Sequence, residues 1–168
     1  MVSGPICIFD LDGTLIDSLG CIVVSANQTF AAHGLPERSR GDIVRWVGVP
    51  LERSLGLIQG REFAGDELAG LIDTYRAAYR AAAAEHLRLF DGIAGLLEAL
   101  AGRGVRMGVA TSKKTAIAIE NLGQMGVARH LPVVIGADMV TRYKPDPESV
   151  HRTLDGLGGA AADAVVIG

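Results

Sequence analysis

Four short apolar runs, free of polar alternation, punctuate the chain: ICIF at 6–9, VRMGVA at 105–110, PVVIG at 132–136 and AVVIG at 164–168. Runs of this length suit strands buried on both faces of a parallel sheet. Between the last three, and just before the second, the period changes to a helical one. IAGLLEALAGRG (93–104), KTAIAIENLGQMG (114–126) and DPESVHRTLDGLG (146–158) place apolar residues at helical spacing and close on glycines suited to a C-cap. The third is expected to open with Asp146 as N-cap and Pro147 at the first helical position.

Strands alternating with helices imply right-handed crossovers, and so an α/β protein with a Rossmann-like, doubly wound parallel sheet. The segment between the first two strands departs from that rhythm. From Asp17 to Glu85 the pattern is helical, with no buried strand: GCIVVSANQTFAAHG (20–34) is amphipathic, and GDELAGLIDTYRAAYRAAAAEHL (65–87) is an alanine-rich helix. Gly48-Val49-Pro50 marks a loop between two further helices. A crossover of about 70 residues far exceeds a normal connection. The expected organisation is therefore a catalytic core from 1–16 and 86–168, with an α-helical domain inserted at 17–85. Tyr75 and Tyr79, four apart, read as packing within that insert, and Asp17 and Ser18 as caps of its first helix.

Composition narrows the function. The chain has 168 residues, 49% hydrophobic and 21% charged, enough for one sizeable core with an appended unit. A net charge of −3 and 5% aromatic residues leave neither a basic face nor a stacking platform for nucleic acid. No apolar stretch approaches the ~18 residues of a membrane span. The amino terminus lacks a signal-peptide pattern. Cys7 and Cys21 are the two cysteines, and Cys7, inside an apolar run, reads as a buried free thiol. A cytoplasmic setting is expected. His33, His86, His130 and His151 are scattered without metal spacing and read as surface residues.

Candidate chemistry gathers at the carboxyl ends of the strands, where open α/β sheets bind ligands. Asp10 and Asp12 follow the first run, one residue apart and joined to Gly13-Thr14. Two carboxylates so close repel, and a divalent cation such as Mg2+ would offset that repulsion, taking oxygens from Asp10 and the backbone around Asp12. Asp10 could then attack a phosphoryl group, splitting one displacement into two, while Asp12 handles protons. Gly13 permits the tight turn that lets nearby amides face phosphate oxygens. Thr111 and Ser112 end the second run, with Lys113 and Lys114 expected in a first helical turn, where cations oppose the macrodipole unless an anion docks. Lys144, beside Pro145, supplies a further charge for the transition state.

DLDGT at 10–14, VAT at 109–111 and YKPDP at 143–147 together resemble the motifs of the haloacid dehalogenase superfamily, in its phosphatase branch. The helical insert resembles the cap of the phosphoglycolate phosphatase and beta-phosphoglucomutase group. The resemblance covers essentially the whole chain. It implies Asp10 as nucleophile, Asp12 as general acid/base, Thr111 holding the phosphoryl group and Lys144 as its electrostatic clamp. Gly13, Thr14, Ser112 and Lys113 would line the phosphate, and Asp10 and Asp12 would hold Mg2+. Dehalogenases of the superfamily lack the second aspartate, so Asp12 favours phosphate esters. WVGVPLERS at 46–54 occupies the cap loop that reads substrate, which makes Gly48 and Arg53 specificity candidates.

One departure stands out. The superfamily's fourth motif continues past a strand-ending glycine into acids that complete the metal site, and the sequence stops at Gly168. A chain that is part of a longer enzyme is the expectation, with the α-carboxylate of Gly168 as the remote alternative source of the acid. The leading function is a Mg2+-dependent phosphatase of small, phosphoglycolate-like phosphorylated metabolites, acting as monomer or homodimer with neither nucleic acid nor membrane as partner. The alternatives are a sugar-phosphate mutase and a silent fragment that only binds phosphate.

Overall fold

The computed structural model describes residues 4–168. Each apolar run forms a strand: β1 (Ile6–Phe9), β4 (Arg106–Ala110), β5 (Val133–Ile135) and β6 (Ala164–Ile167). They make one parallel sheet in the order β5-β4-β1-β6. The register sets Phe9 beside Val109 and Ile167, so the carboxyl ends of β1, β4 and β6 lie level.

The chain moves outward from β1 to β4 to β5, then returns across β1 to β6. With right-handed crossovers this puts α5 (Ile93–Gly102) and α6 (Thr115–Gln124) on one face and α7 (Glu148–Leu157) on the other. Leu154 of α7, with Val150 and Leu157, packs on Ile6, Ile8 and Ala110. Each such side chain taken from water contributes about 1.5–3 kcal/mol. The parallel, doubly wound sheet is the architecture the apolar runs predict.

By packing, the described residues divide into two units: those up to Asp17 together with Arg88–Gly168, and Ser18–Leu87. The second unit is all helical: α1 (Leu19–Ala32), α2 (Arg40–Val44), α3 (Leu51–Gln59) and α4 (Gly65–His86). Its own core is Ala26, Phe30, Ile43, Leu55, Leu71 and Ile72, with Tyr75 packed against them. Tyr75 and Tyr79 stack with centroids 6.1 Å apart, and Tyr79 is buried, so the pair is structural. Cys21 is buried, Cys7 is half-buried, and neither forms a disulfide. Burial pushes the Cys7 thiol above its ordinary value. His33, His86 and His151 are exposed and His130 half-buried.

Local details correct the sequence reading. Asp17 is not a cap: it pairs with Arg88 in a two-stranded antiparallel ribbon of β2 (Ile16–Asp17) and β3 (Arg88–Leu89). Ser18 occupies the N-cap position of α1 but makes no side-chain capping bond. Helix α7 starts at Glu148, one residue later than a Pro147 start requires. Asp146 still acts on the helix entrance, because its Oδ1 accepts the Glu148 amide at 2.9 Å. Among the described residues no helix is long and apolar enough to cross a membrane.

Candidate active site

Strand β1 ends against solvent at Asp10, whose amide donates to the Ile167 carbonyl at 2.8 Å and so extends the β1–β6 ladder by one step. The chain then turns sharply. Leu11 stays fully buried and its carbonyl accepts from the amides of Thr14, Leu15 and Ile16. Gly13 sits at φ +82°, in the left-handed region that side chains disfavour. The buried Leu11 and the Gly13 turn together leave Asp10 partly exposed and Asp12 more shielded at the end of the sheet.

Both carboxylates face lysines. Lys144 Nζ lies 3.0 Å from Asp10 Oδ1, and Lys113 Nζ 2.7 Å from Asp12 Oδ1. The second pair is well shielded, with side chains 11% and 15% exposed. Lys113 Nζ also donates to Asn121 Oδ1 of α6 at 3.3 Å. Asn121 is a buried polar residue beside Ala118 and Leu122, and a lone amide on an apolar helix stripe was the signal available for it.

Thr111 is one residue past β4 and is buried. Its amide donates to the Ile135 carbonyl, and its hydroxyl oxygen accepts the Lys113 amide at 3.2 Å. Lys113 and Lys114 precede α6 and are not in its first turn, because the helix begins at Thr115. The reason lies downstream. Asp138 accepts the Thr115 amide at 2.7 Å and the Thr115 hydroxyl at 2.8 Å, capping α6 from a distant segment. Burial opposes the charged form of Asp138, yet these bonds outweigh it and hold its carboxyl below the usual range. Gly136 presses against Thr115 and the Lys113 carbonyl, leaving no room for a side chain. Ala137 donates to the same Lys113 carbonyl at 3.0 Å.

Asp10, Asp12, Gly13, Thr14, Thr111, Ser112, Lys113 and Lys144 therefore belong to one unit, at one end of one sheet. Gly168 lies there too: a Cβ built on it would come 3.2 Å from Asp10 Cβ and 4.0 Å from Thr14 Oγ1. Gly48, at φ +95°, and the exposed Arg53 of α3 belong to the helical unit.

The donor set is all oxygen. Asp10 Oδ1 is engaged by Lys144 at 3.0 Å. No cluster of three or more His, Cys, Asp or Glu residues suited to a metal occurs among the described residues. Mg2+ is commonly held by one or two carboxylates plus water and substrate phosphate, so the residues present fit such an ion.

The sequence profile of haloacid dehalogenase-like hydrolases matches residues 7–168. The chain belongs to the haloacid dehalogenase-like hydrolase family. It is 34% identical over 172 residues to a phosphoglycolate phosphatase of Rhodospirillum rubrum, across 96% of this chain and 70% of that protein. It is 30% identical over 168 residues to a phosphoglycolate phosphatase of Agrobacterium fabrum, across 98% of this chain and 72% of that one. A haloacid dehalogenase-like family hydrolase from Streptococcus pneumoniae shares its fold with a TM-score of 0.81 at 27% identity, covering 100% of this chain and 77% of that chain.

Proposed function

We propose that this hydrolase is a phosphatase cleaving monoesters of small phosphorylated metabolites, with phosphoglycolate-like substrates first, through an aspartyl-phosphate at Asp10. The observation that carries the reading is the contact of Lys144 Nζ with Asp10 Oδ1 at 3.0 Å, at the carboxyl end of the sheet. A lysine beside the nucleophile also stands beside the phosphoryl group that the nucleophile receives. There it offsets charge on the equatorial oxygens. The phosphoglycolate phosphatases among its relatives support the substrate class.

An Asp10 carboxylate oxygen attacks phosphorus, the bond from phosphorus to the ester oxygen breaks, and the leaving alkoxide takes a proton from Asp12. Water then attacks phosphorus, Asp12 accepts its proton, and the Asp10–phosphorus bond breaks to free phosphate. Lys113, paired with Asp12 at 2.7 Å, fixes that carboxyl's orientation. The buried Thr111 hydroxyl and the neighbouring Ser112 would bind the phosphoryl oxygens, as would the amides of Gly13 and Thr14. Asp10 and the backbone around Asp12 would hold Mg2+, which supplies charge neutralisation between nucleophile and substrate when bound. The helical unit Ser18–Leu87 would serve as the cap that reads the substrate, with Gly48 and Arg53 as its contacts. The setting proposed is cytoplasmic, as monomer or homodimer.

The test is phosphate release from a panel of phosphate esters, phosphoglycolate among them, with and without Mg2+. Asp10→Asn is expected to abolish release, and a variant with undiminished turnover would refute the covalent route. Isomerised sugar phosphate with little free phosphate would select the mutase chemistry instead.

A further inference from the structure

Lys144 sits in the middle of an exposed loop, and hydrophobic packing does not set that loop's shape. Residues 141–145 are all exposed, Tyr143 included at 40%. What does set it is a buried carboxylate at the loop's exit. Glu148, 8% exposed, turns its side chain back onto the loop and away from the amides of its own helix. Its Oε2 accepts the Arg142 amide at 2.8 Å and the Thr141 hydroxyl at 2.9 Å, and the Thr141 amide lies 3.2 Å from both oxygens. Arg152 Nε and Nη2 close on Oε1 at 2.9 and 2.7 Å. Asp146 completes the ring: its Oδ1 accepts the Glu148 amide, and its Oδ2 lies 3.4 Å from Arg142 Nε. The loop's entrance and exit are thus tied to one anion, and Lys144 is carried between them.

We propose that Glu148 is a positioning residue for the phosphoryl-transfer step, acting through Lys144. It holds the 141–146 loop in the shape that keeps the ammonium against Asp10. The inference rests on the reading of Lys144 as charge partner of the transferred group. A general cap role is a poorer account, because an acid serving only α7 would accept from that helix's first amides, and Glu148 spends its acceptor capacity on Thr141, Arg142 and Arg152.

The experiment is a double-mutant cycle on the full chain with Lys144→Ala, Glu148→Gln and both together. Turnover of p-nitrophenyl phosphate with Mg2+ is one readout, and binding of inorganic phosphate by titration calorimetry the other. Displacing a charge by an ångström at a reacting centre costs about a hundredfold. Glu148→Gln is therefore expected to lower kcat by about that factor, with a smaller change in KM, and to weaken phosphate binding. The double variant should be no worse than Lys144→Ala alone, and Glu148→Asp should recover part of the loss. Should Glu148→Gln fail to fold, Thr141→Val removes one tie and must show the same non-additivity with Lys144→Ala. Wild-type behaviour of Glu148→Gln beside an impaired Lys144→Ala overturns this inference alone, as does an additive double variant. An unimpaired Lys144→Ala overturns the reading of the site and this inference with it.

Discussion

At the scale of single residues, the site depends on how closely backbone approaches backbone. Gly136 is the sharpest case. A Cβ there would meet the Thr115 amide and hydroxyl and the Lys113 carbonyl, all part of the loop that presents Lys113 to Asp12. Backbone atoms cannot give way as a flexible side chain can. Gly136→Ala is expected to destabilise the protein by about 1–3 kcal/mol, read as a lower urea midpoint at unchanged slope. It should also reduce turnover, because the Thr111–Lys114 loop shifts with it. An unchanged midpoint would mean that the loop has slack the packing does not indicate. The sequence already offered Asp10, Asp12, Thr111 and Lys144, because each sits within three residues of an apolar run or a proline pair. It gave no purchase on Asp138 or Glu148. Their partners, Thr115 and Thr141, lie 23 and 7 residues away and are tied by contacts that carry no local period.

At the scale of elements, all four apolar runs were legible as strands, but only β1 and β4 are the buried middle strands such runs suggest, and β6 keeps Val165 and Val166 59% and 57% exposed. The ribbon of β2 and β3 was not legible. It has two residues per strand, drawn from opposite ends of the helical insertion, and no alternation can be read from two positions. The start of α7 was misplaced by one residue because Asp146 reaches the Glu148 amide past Pro147, so the acid acts on the helix from outside it. The same junction is sensitive to acid. The Arg142 amide, above all, and the Thr141 and Arg152 bonds depress the Glu148 carboxyl from 4.5 to about 2, although burial opposes them. A depressed carboxyl stabilises the folded state above its unfolded value and loses that contribution as pH falls through the folded one. Wild-type protein should therefore exceed Glu148→Gln in thermal midpoint at neutral pH. The gap should close as pH drops from 4.5 towards about 2. A gap independent of pH across that window would show that the hydrogen bonds do not favour the ionised form.

At the scale of the whole molecule, stability and chemistry rest on different groups. Ile6, Ile8, Ala110 and Leu154 hold the sheet, and Phe30 with Leu71 holds the helical unit, each by burial alone. The residues proposed to hold the cation lie at the rim of β1, outside both cores. Chelation with EDTA is expected to abolish phosphate release while leaving circular dichroism and the urea midpoint in place, and added Mg2+ should restore release. Loss of structure on chelation would mean that the ion is structural. Asp10 itself is proposed to carry the phosphoryl group. The most direct measurement is to quench turnover of a phosphate ester in acid, reduce with borohydride and sequence the peptide spanning Asp10 by mass spectrometry. An aspartyl-phosphate is reduced to homoserine, so homoserine at position 10 is the predicted result. Intact aspartate at position 10 in every quenched sample, from protein that is releasing phosphate, would contradict it.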